Sequence, residues 1–493
     1  MSDNGASVAT VNATLEEKDP ELTGKVGTLQ GNMGALGLFF SVMAFNAPLV
    51  VVIGVIPFMI AFGNGIGTPI LFVIGGLIVA AFATGFLRMS DVLQRPGAFY
   101  AFVTAGLGKK IGLGSGLAML LAYFCVCAGY LTFGGEIFGT LVTNTFHGPD
   151  LPGYVWAFVL WVIVAVLGYL RVDFSAKVTA VVLCGELIVV FIYNAVIFAR
   201  GGAEGLSAAP FDPSHWFDGS LPIGLLLASG MFGGYEVTVL FRDEVRNPEK
   251  TIPRATYGLI ACAVVIYVTT TWLFINALGV DDAASLVAAD PTGAMDSTLI
   301  TFGSHFLFDA ASILVITSAL AVIVCAHNVG ARYLFNLSAD GVFPRSLSAV
   351  HPRHGSPYVA SMVMSAAALA LNAAVVVLGI DEMAFYAALL GVAALTGITV
   401  QFLTAVAVPA YLKRTGNHKG HVIKSIVLPL AAAVGFGTVM VLSILNFHIL
   451  TGGSQTMSNI LLAFVYGFFA FGFVLALALR RWRPQVYQRI GRQ

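Results

Sequence analysis

Two carboxyls in this 493-residue chain stand where a carboxyl is costly. Glu186 lies near the middle of the apolar run 174–199, and Glu236 closes the segment Ser229-Gly230-Met231-Phe232-Gly233-Gly234-Tyr235-Glu236. An ionised acid at hydrocarbon depth costs on the order of 2.5 to 3.5 kcal/mol by insertion scales, so Glu186 is expected to be protonated or paired at rest. Desolvation favours the neutral form and water the charged form. A carboxyl that meets water in one state and not in the next therefore loads and releases a proton. The alternative for Glu186 is static: a neutral acid hydrogen-bonded to a carbonyl of the first apolar run. Glu236 is read either as a proton-responsive group or as a helix cap or partner of Arg332.

Two interruptions in apolar runs add a second kind of chemistry. The first reads Ala44-Phe45-Asn46-Ala47-Pro48, where Pro48 removes a backbone donor and disfavours helix at Ala47, and Asn46 places an amide at bilayer depth. The second is the glycine-rich stretch before Glu236. Non-helical backbone at that depth is tolerated only where it is buried in protein or lines a cavity. A small solute is therefore expected to contact Ala44, Phe45, Asn46 and Ala47 on one side. On the other it would meet Ser229, Gly230, Met231, Phe232, Gly233, Gly234 and Tyr235. The alternative is close helix packing at the glycines and a harmless proline kink.

These groups need a scaffold, and composition names its solvent. The chain is 58% hydrophobic and 10% charged, against about 25% charged residues in ordinary soluble domains, so it is expected to live in a membrane. Twenty-five Lys and Arg balance 25 Asp and Glu, which gives no reason to expect a nucleic-acid partner. Crossing about 30 Å of hydrocarbon takes roughly 20 apolar residues as helix. That ruler predicts an all-α membrane protein with twelve transmembrane helices, at 35–62, 68–88, 112–143, 152–170, 174–199, 221–241, 256–279, 306–336, 357–378, 384–412, 424–447 and 457–480. Alternating the loops places every lysine and arginine except Arg200 on one side, the expected cytoplasmic side. Both termini are expected there, in the cell membrane, with residues 1–33 and 481–493 as tails.

Other classes are disfavoured. The loops 200–220 and 280–305 are too short to bury a core of their own, and the nine histidines form no HExxH or similar spacing. No catalytic residue, cofactor or metal site is expected. The five cysteines all lie in apolar stretches and read as small fillers. A channel would need a repeated selectivity filter, which is missing.

A longer motif carries a resemblance. Gly234-Tyr235-Glu236, then Asp243-Glu244, Asn247-Pro248 and Ile252-Pro253-Arg254-Ala255, resembles the signature of the amino acid, polyamine and organocation (APC) transporter family. Asn328 and Arg332, followed by Asp340-Gly341-Val342-Phe343-Pro344, His351 and Pro357, resembles another loop of that family. The resemblance implies a ten-helix core, 34–412, made of inverted repeats at 34–199 and 221–412, with spans 1 and 6 broken and peripheral helices over 413–480. It implies a secondary carrier of an amino acid or related organic amine by alternating access, with protons as expected co-substrate. The alternatives are an exchanger without proton flux and, from another class, a transporter-fold sensor or channel.

The chain also departs from that family. The Gly-Ser-Gly stretch that holds a substrate carboxylate in many members is replaced around Asn46, and Gly230 stands where many place a bulky aromatic gate. Glu186 aligns where proton-dependent members commonly carry lysine. Val322 and Ala326 replace expected hydroxyl ligands, which argues against sodium. Tyr123 and Tyr130 are candidate pocket residues; His327 is expected to be packing, and Glu136 and Asp309 structural.

Overall fold

The computed structural model describes residues 34–93, 98–170, 176–240, 245–352 and 355–491. The charged turn Arg242, Asp243 and Glu244 and the residues 1–33 lie outside them. Ten helices are long and apolar enough to cross a membrane among the described residues.

The first expected span is broken. Helix α1 (Ala35–Asn46) stops, Ala47 takes the left-handed conformation at φ 49°, ψ 66°, and α2 (Pro48–Gly54) begins on the proline. Proline suits a first helical position because it lacks the N–H that would be orphaned there, and it forces its predecessor out of the right-handed helix. The chain continues through α3 (Ile56–Met59) and a π-turn over Ile60–Asn64 to α4 (Thr68–Val92) and α5 (Ala98–Leu107). Next come α6 (Lys109–Asn144), α7 (Gly153–Leu170) and α8 (Ala176–Arg200).

The sixth expected span is broken as well. Helix α9 (Leu221–Gly230) gives way to a turn over residues 231–236 before the short α10 (Val237–Leu240). Gly234 sits in that turn at φ 96°, a conformation that a side chain would strain. Then follow α11 (Pro248–Leu278), α12 (Ala283–Ala289), α13 (Pro291–Ala339), α14 (Tyr358–Leu378) and α15 (Glu382–Arg414). The chain finishes with α16 (Leu428–Asn446), α17 (Gln455–Trp482) and α18 (Pro484–Arg489).

Two stretches read as loops in the sequence are helical. Helix α5 occupies part of the connection after the second span, and α12 with the start of α13 fills most of 280–305. The α13 start is explained by Asp290, whose carboxylate accepts from Gly293 N at 2.9 Å as an N-cap. A kink at Ser304, φ 76°, separates this extension from the expected span.

The cationic loops meet at one end of the bundle. Lys109 Nζ donates to Gln488 O at 2.6 Å, Arg88 Nη2 to Asn417 O at 3.4 Å, and Arg414 to Ala105 O. Gly491 N donates to Tyr100 Oη at 2.9 Å, and that hydroxyl donates to Asp340 Oδ2 at 3.3 Å. At the other end Arg200 Nη1 donates to Thr301 O at 3.0 Å, and Thr145 Oγ1 to Asp309 Oδ1 at 2.6 Å.

Helix α5 reaches α15 because Gly106 has no side chain: a Cβ there would overlap the carbonyl and Cα of Ala407. Gly467, on α17, faces open space. Gly106→Ala should therefore lower the thermal midpoint in detergent, by about 1–3 kcal/mol of overpacking. Gly467→Ala should leave it unchanged or raise it; equal effects would contradict the close approach of α5 and α15.

Candidate functional site

The two breaks face each other across a cavity of about 160 Å3 between α1, α6, the 231–236 turn, α13 and α15. An apolar cavity of roughly 150 Å3 accommodates benzene, so this chamber suits a small organic solute. Of the residues the sequence singles out, Asn46, Gly230, Met231, Gly233, Gly234 and Glu236 line it, as do Tyr123, Tyr130, Val322 and Ala326.

Other expected contacts point elsewhere. Phe232 packs on Gly75 and Gly76 of α4, with its ring 6.3 Å from that of Tyr267. Tyr235 packs edge-on against the stacked rings of Phe82 and Phe86, at 6.0 and 6.1 Å. Ser229 lies in the last turn of α9 with its Oγ toward Gly75. The reason is local: in a turn, consecutive side chains fan out, so only one face of 229–236 meets the cavity. Ala47 is buried as the left-handed link and contributes no lining atom. The side chains of Ala44 and Phe45 lie outside the described residues.

Asn46 joins the two breaks. Its Nδ2 donates to Gly233 O at 3.2 Å, and its Oδ1 accepts from Tyr267 Oη on α11 at 2.7 Å. One amide thereby satisfies a carbonyl released by the glycine-rich turn.

Each break also holds a carboxyl of the chain itself. Glu186, on α8, is 2% exposed and accepts from Leu49 N at 3.2 Å, on the first turn of α2. The static role expected of it named a carbonyl of the first span; its partner is an amide N–H. The Ser318 hydroxyl of α13 lies beside the same carboxyl, and Thr317, its neighbour, is exposed. Glu236 accepts from Gly234 N at 2.9 Å and from Tyr123 Oη at 3.4 Å. It caps its own turn, while Arg332 is exposed. His327 packs as expected, with Nε2 2.9 Å from Ser365 Oγ.

Aromatic rings close the cavity toward the end that carries Arg200. Tyr386 stacks on Phe133 at 4.9 Å and meets Tyr130 at 5.6 Å and Phe58 at 5.7 Å. Tyr386 Oη donates to Gly54 O at 3.1 Å, where α2 ends. A Cβ at Gly54 would reach within 2.6 Å of the Phe133 ring, so glycine is required for this closure.

Sequence reasoning missed three participants: Tyr267, Tyr386 and Gln401. Gln401 lines the cavity, is 6% exposed, and its Oε1 has no hydrogen-bond partner among the described residues. A signal existed, since Gln401 is the one primary amide in the run 384–408.

Apolar helices threading a bilayer around a solute-sized chamber define a membrane transport protein. The amino acid permease family model matches residues 36–488, and the chain belongs to that family; it is a transporter and not an enzyme. It is 26% identical over 328 residues to the branched-chain amino acid permease BcaP of Bacillus subtilis, covering 60% of this chain and 65% of that one. It is also 26% identical over 340 residues to the aromatic amino acid transport protein AroP of Escherichia coli K12, covering 64% of this chain and 71% of that protein. An uncharacterised transporter of Mycobacterium tuberculosis is 27% identical over 259 residues, 50% of this chain and 56% of its own length.

The Asn46 bridge predicts a thermodynamic cycle. Asn46→Leu strands Gly233 O and Tyr267 Oη and should cost about 1–3 kcal/mol for buried groups left unpaired. Asn46→Leu with Tyr267→Phe should be less unstable than the sum of the single changes, measured by thermal unfolding in detergent. Strict additivity would contradict the bridge.

Proposed function

We propose that this protein is a secondary carrier that moves an amino acid or related organic amine across the cell membrane by alternating access, with Glu186 as the proton-coupling group. The observation that carries the reading is the chamber between two helix interruptions, with a buried carboxyl bonded to one of them. Ten long helices and two broken ones make the twelve spans of the proposed topology. The gathering of lysine and arginine loops at one bundle end supports cytoplasmic termini. Two relatives are named for branched-chain and aromatic amino acids, which supports a substrate with an apolar body.

The hydrogen bonds suggest which parts move. Asn46 ties α1 to the 231–236 turn and to α11, and Phe232 and Tyr267 pack on α4. Spans 1, 2, 6 and 7 are thus tied together as one body, which would rock against the rest, spans 3, 5, 8 and 10 among them, around a fixed site. Glu186 belongs to the other body, and its bond to Leu49 N spans the two. A charge-assisted hydrogen bond is about twice as strong as a neutral one, so protonation would loosen that link and allow the bundle to tilt. In this mechanism the proton reaches Glu186 from the hydrated side and leaves after reorientation.

Glu186→Gln keeps an acceptor for Leu49 N and removes the titration. In proteoliposomes it should abolish accumulation driven by a pH gradient and retain counterflow. Unchanged accumulation would remove Glu186 from the mechanism. Gly233→Leu fills the chamber and should lower substrate affinity at least tenfold, as read by ligand-dependent thermal stabilisation; wild-type affinity would place the substrate elsewhere.

A further inference from the structure

We propose that the cavity selects organic amines without an α-carboxylate, and that Gln401 holds the substrate ammonium together with Glu236. This rests on the carrier reading above and narrows its substrate class.

Four observations converge on a cation. Helices α1 and α9, of 12 and 10 residues, both end at the breaks with their C-termini, the negative poles of their dipoles. Two of the amides that an incoming carboxylate would meet are already bonded to carboxyls of the chain: Leu49 N to Glu186 at 3.2 Å and Gly234 N to Glu236 at 2.9 Å. The described lining contains no lysine, arginine or histidine, and Glu236 is its one carboxyl. Added carboxylate would meet the one carboxyl of the lining and no cationic side chain, whereas added ammonium would meet Glu236 and two carbonyl-bearing helix ends.

Gln401 supplies the fourth. A buried amide oxygen with no donor is costly to maintain, and this one belongs to a side chain that lines the chamber. An ammonium group has three donors and no acceptor, so it satisfies Gln401 Oε1 and Glu236 together. Around these groups the lining is apolar and small, with Val51, Val126, Val322, Ala326, Ala394 and Ile398. That surface fits a branched alkyl chain or a single ring.

The test uses the purified full-length protein and two ligand pairs, leucine with isopentylamine and phenylalanine with phenethylamine, read by thermal stabilisation and by counterflow in proteoliposomes. The expected result is half-saturation by each amine at a concentration at least tenfold below that of its amino acid. Gln401→Leu should raise the amine's half-saturating concentration about tenfold while leaving ligand-free stability equal or higher, because the change removes an unpaired polar group. An amide that serves only structure would instead lower ligand-free stability and leave affinity alone, and that result overturns the assignment of Gln401. Should Gln401→Leu not fold, Gln401→Glu carries the test: it should tighten the amine and weaken the amino acid, and the opposite order overturns the proposal. Amino acids that bind as well as or better than their amines, with binding lost in Gly233→Leu, overturn the amine preference and leave the carrier site standing. Binding of neither ligand in a pair, in the wild-type protein, overturns both.

Discussion

Backbone at hydrocarbon depth cannot leave its hydrogen bonds unmade, because no water is present to complete them. The chain breaks its helices twice at that depth, and the rest of the structure answers the demand thus created. Leu49 N is met by Glu186, Gly234 N by Glu236, Gly233 O by Asn46 and Gly54 O by Tyr386. Three of these partners come from another helix, so the broken segments are completed only in the assembled bundle. The chamber and the fold are one problem: the groups that make the site possible also hold α1, α2, α6, α8, the 231–236 turn, α11 and α15 in register.

Charge is distributed by the same constraint. Lysines and arginines collect in loops at one end, where Lys109, Arg88 and Arg414 bond to backbone carbonyls. The two mid-bundle acids have no cationic partner among the described residues and accept from amide N–H groups instead. A carboxyl paired with a backbone amide gains a charge-assisted bond without fixing a countercharge. A proton or a substrate cation can then complete the neutralisation, which a permanent lysine or arginine partner would pre-empt.

The breaks were legible in the sequence because their causes are local. Pro48 dictates Ala47, and Gly234 permits a positive φ at the second turn, so both interruptions fall where residue types require them. Hydropathy likewise located the long helices, since each crossing must be apolar over its length. Side-chain direction inside the 231–236 turn was not legible: Phe232 and Tyr235 turned into aromatic packing against α4, whereas Met231 faces the chamber. Glu236 takes the cap that the sequence offered beside an ion pair with Arg332. A long-range ion pair with Arg332 competes with a backbone N–H two residues away, and proximity favours the local bond. Tyr267 and Tyr386 matter through contacts between distant helices, of which single-chain periodicity carries no trace, whereas Gln401 stands out in the sequence only as the lone primary amide of its run. The helical stretches α5 and α12 were passed over because a membrane ruler ignores helices too short to span.

The central claim is that a small solute occupies the gap between the two interruptions. The most direct measurement is a cryo-EM map of the protein saturated with a ligand it transports. The account predicts that both segments stay broken, at Ala47 and over 231–236, with ligand density between Asn46, Gly233 and Gln401. Continuous α-helix through either segment, or ligand density outside this chamber, would contradict it.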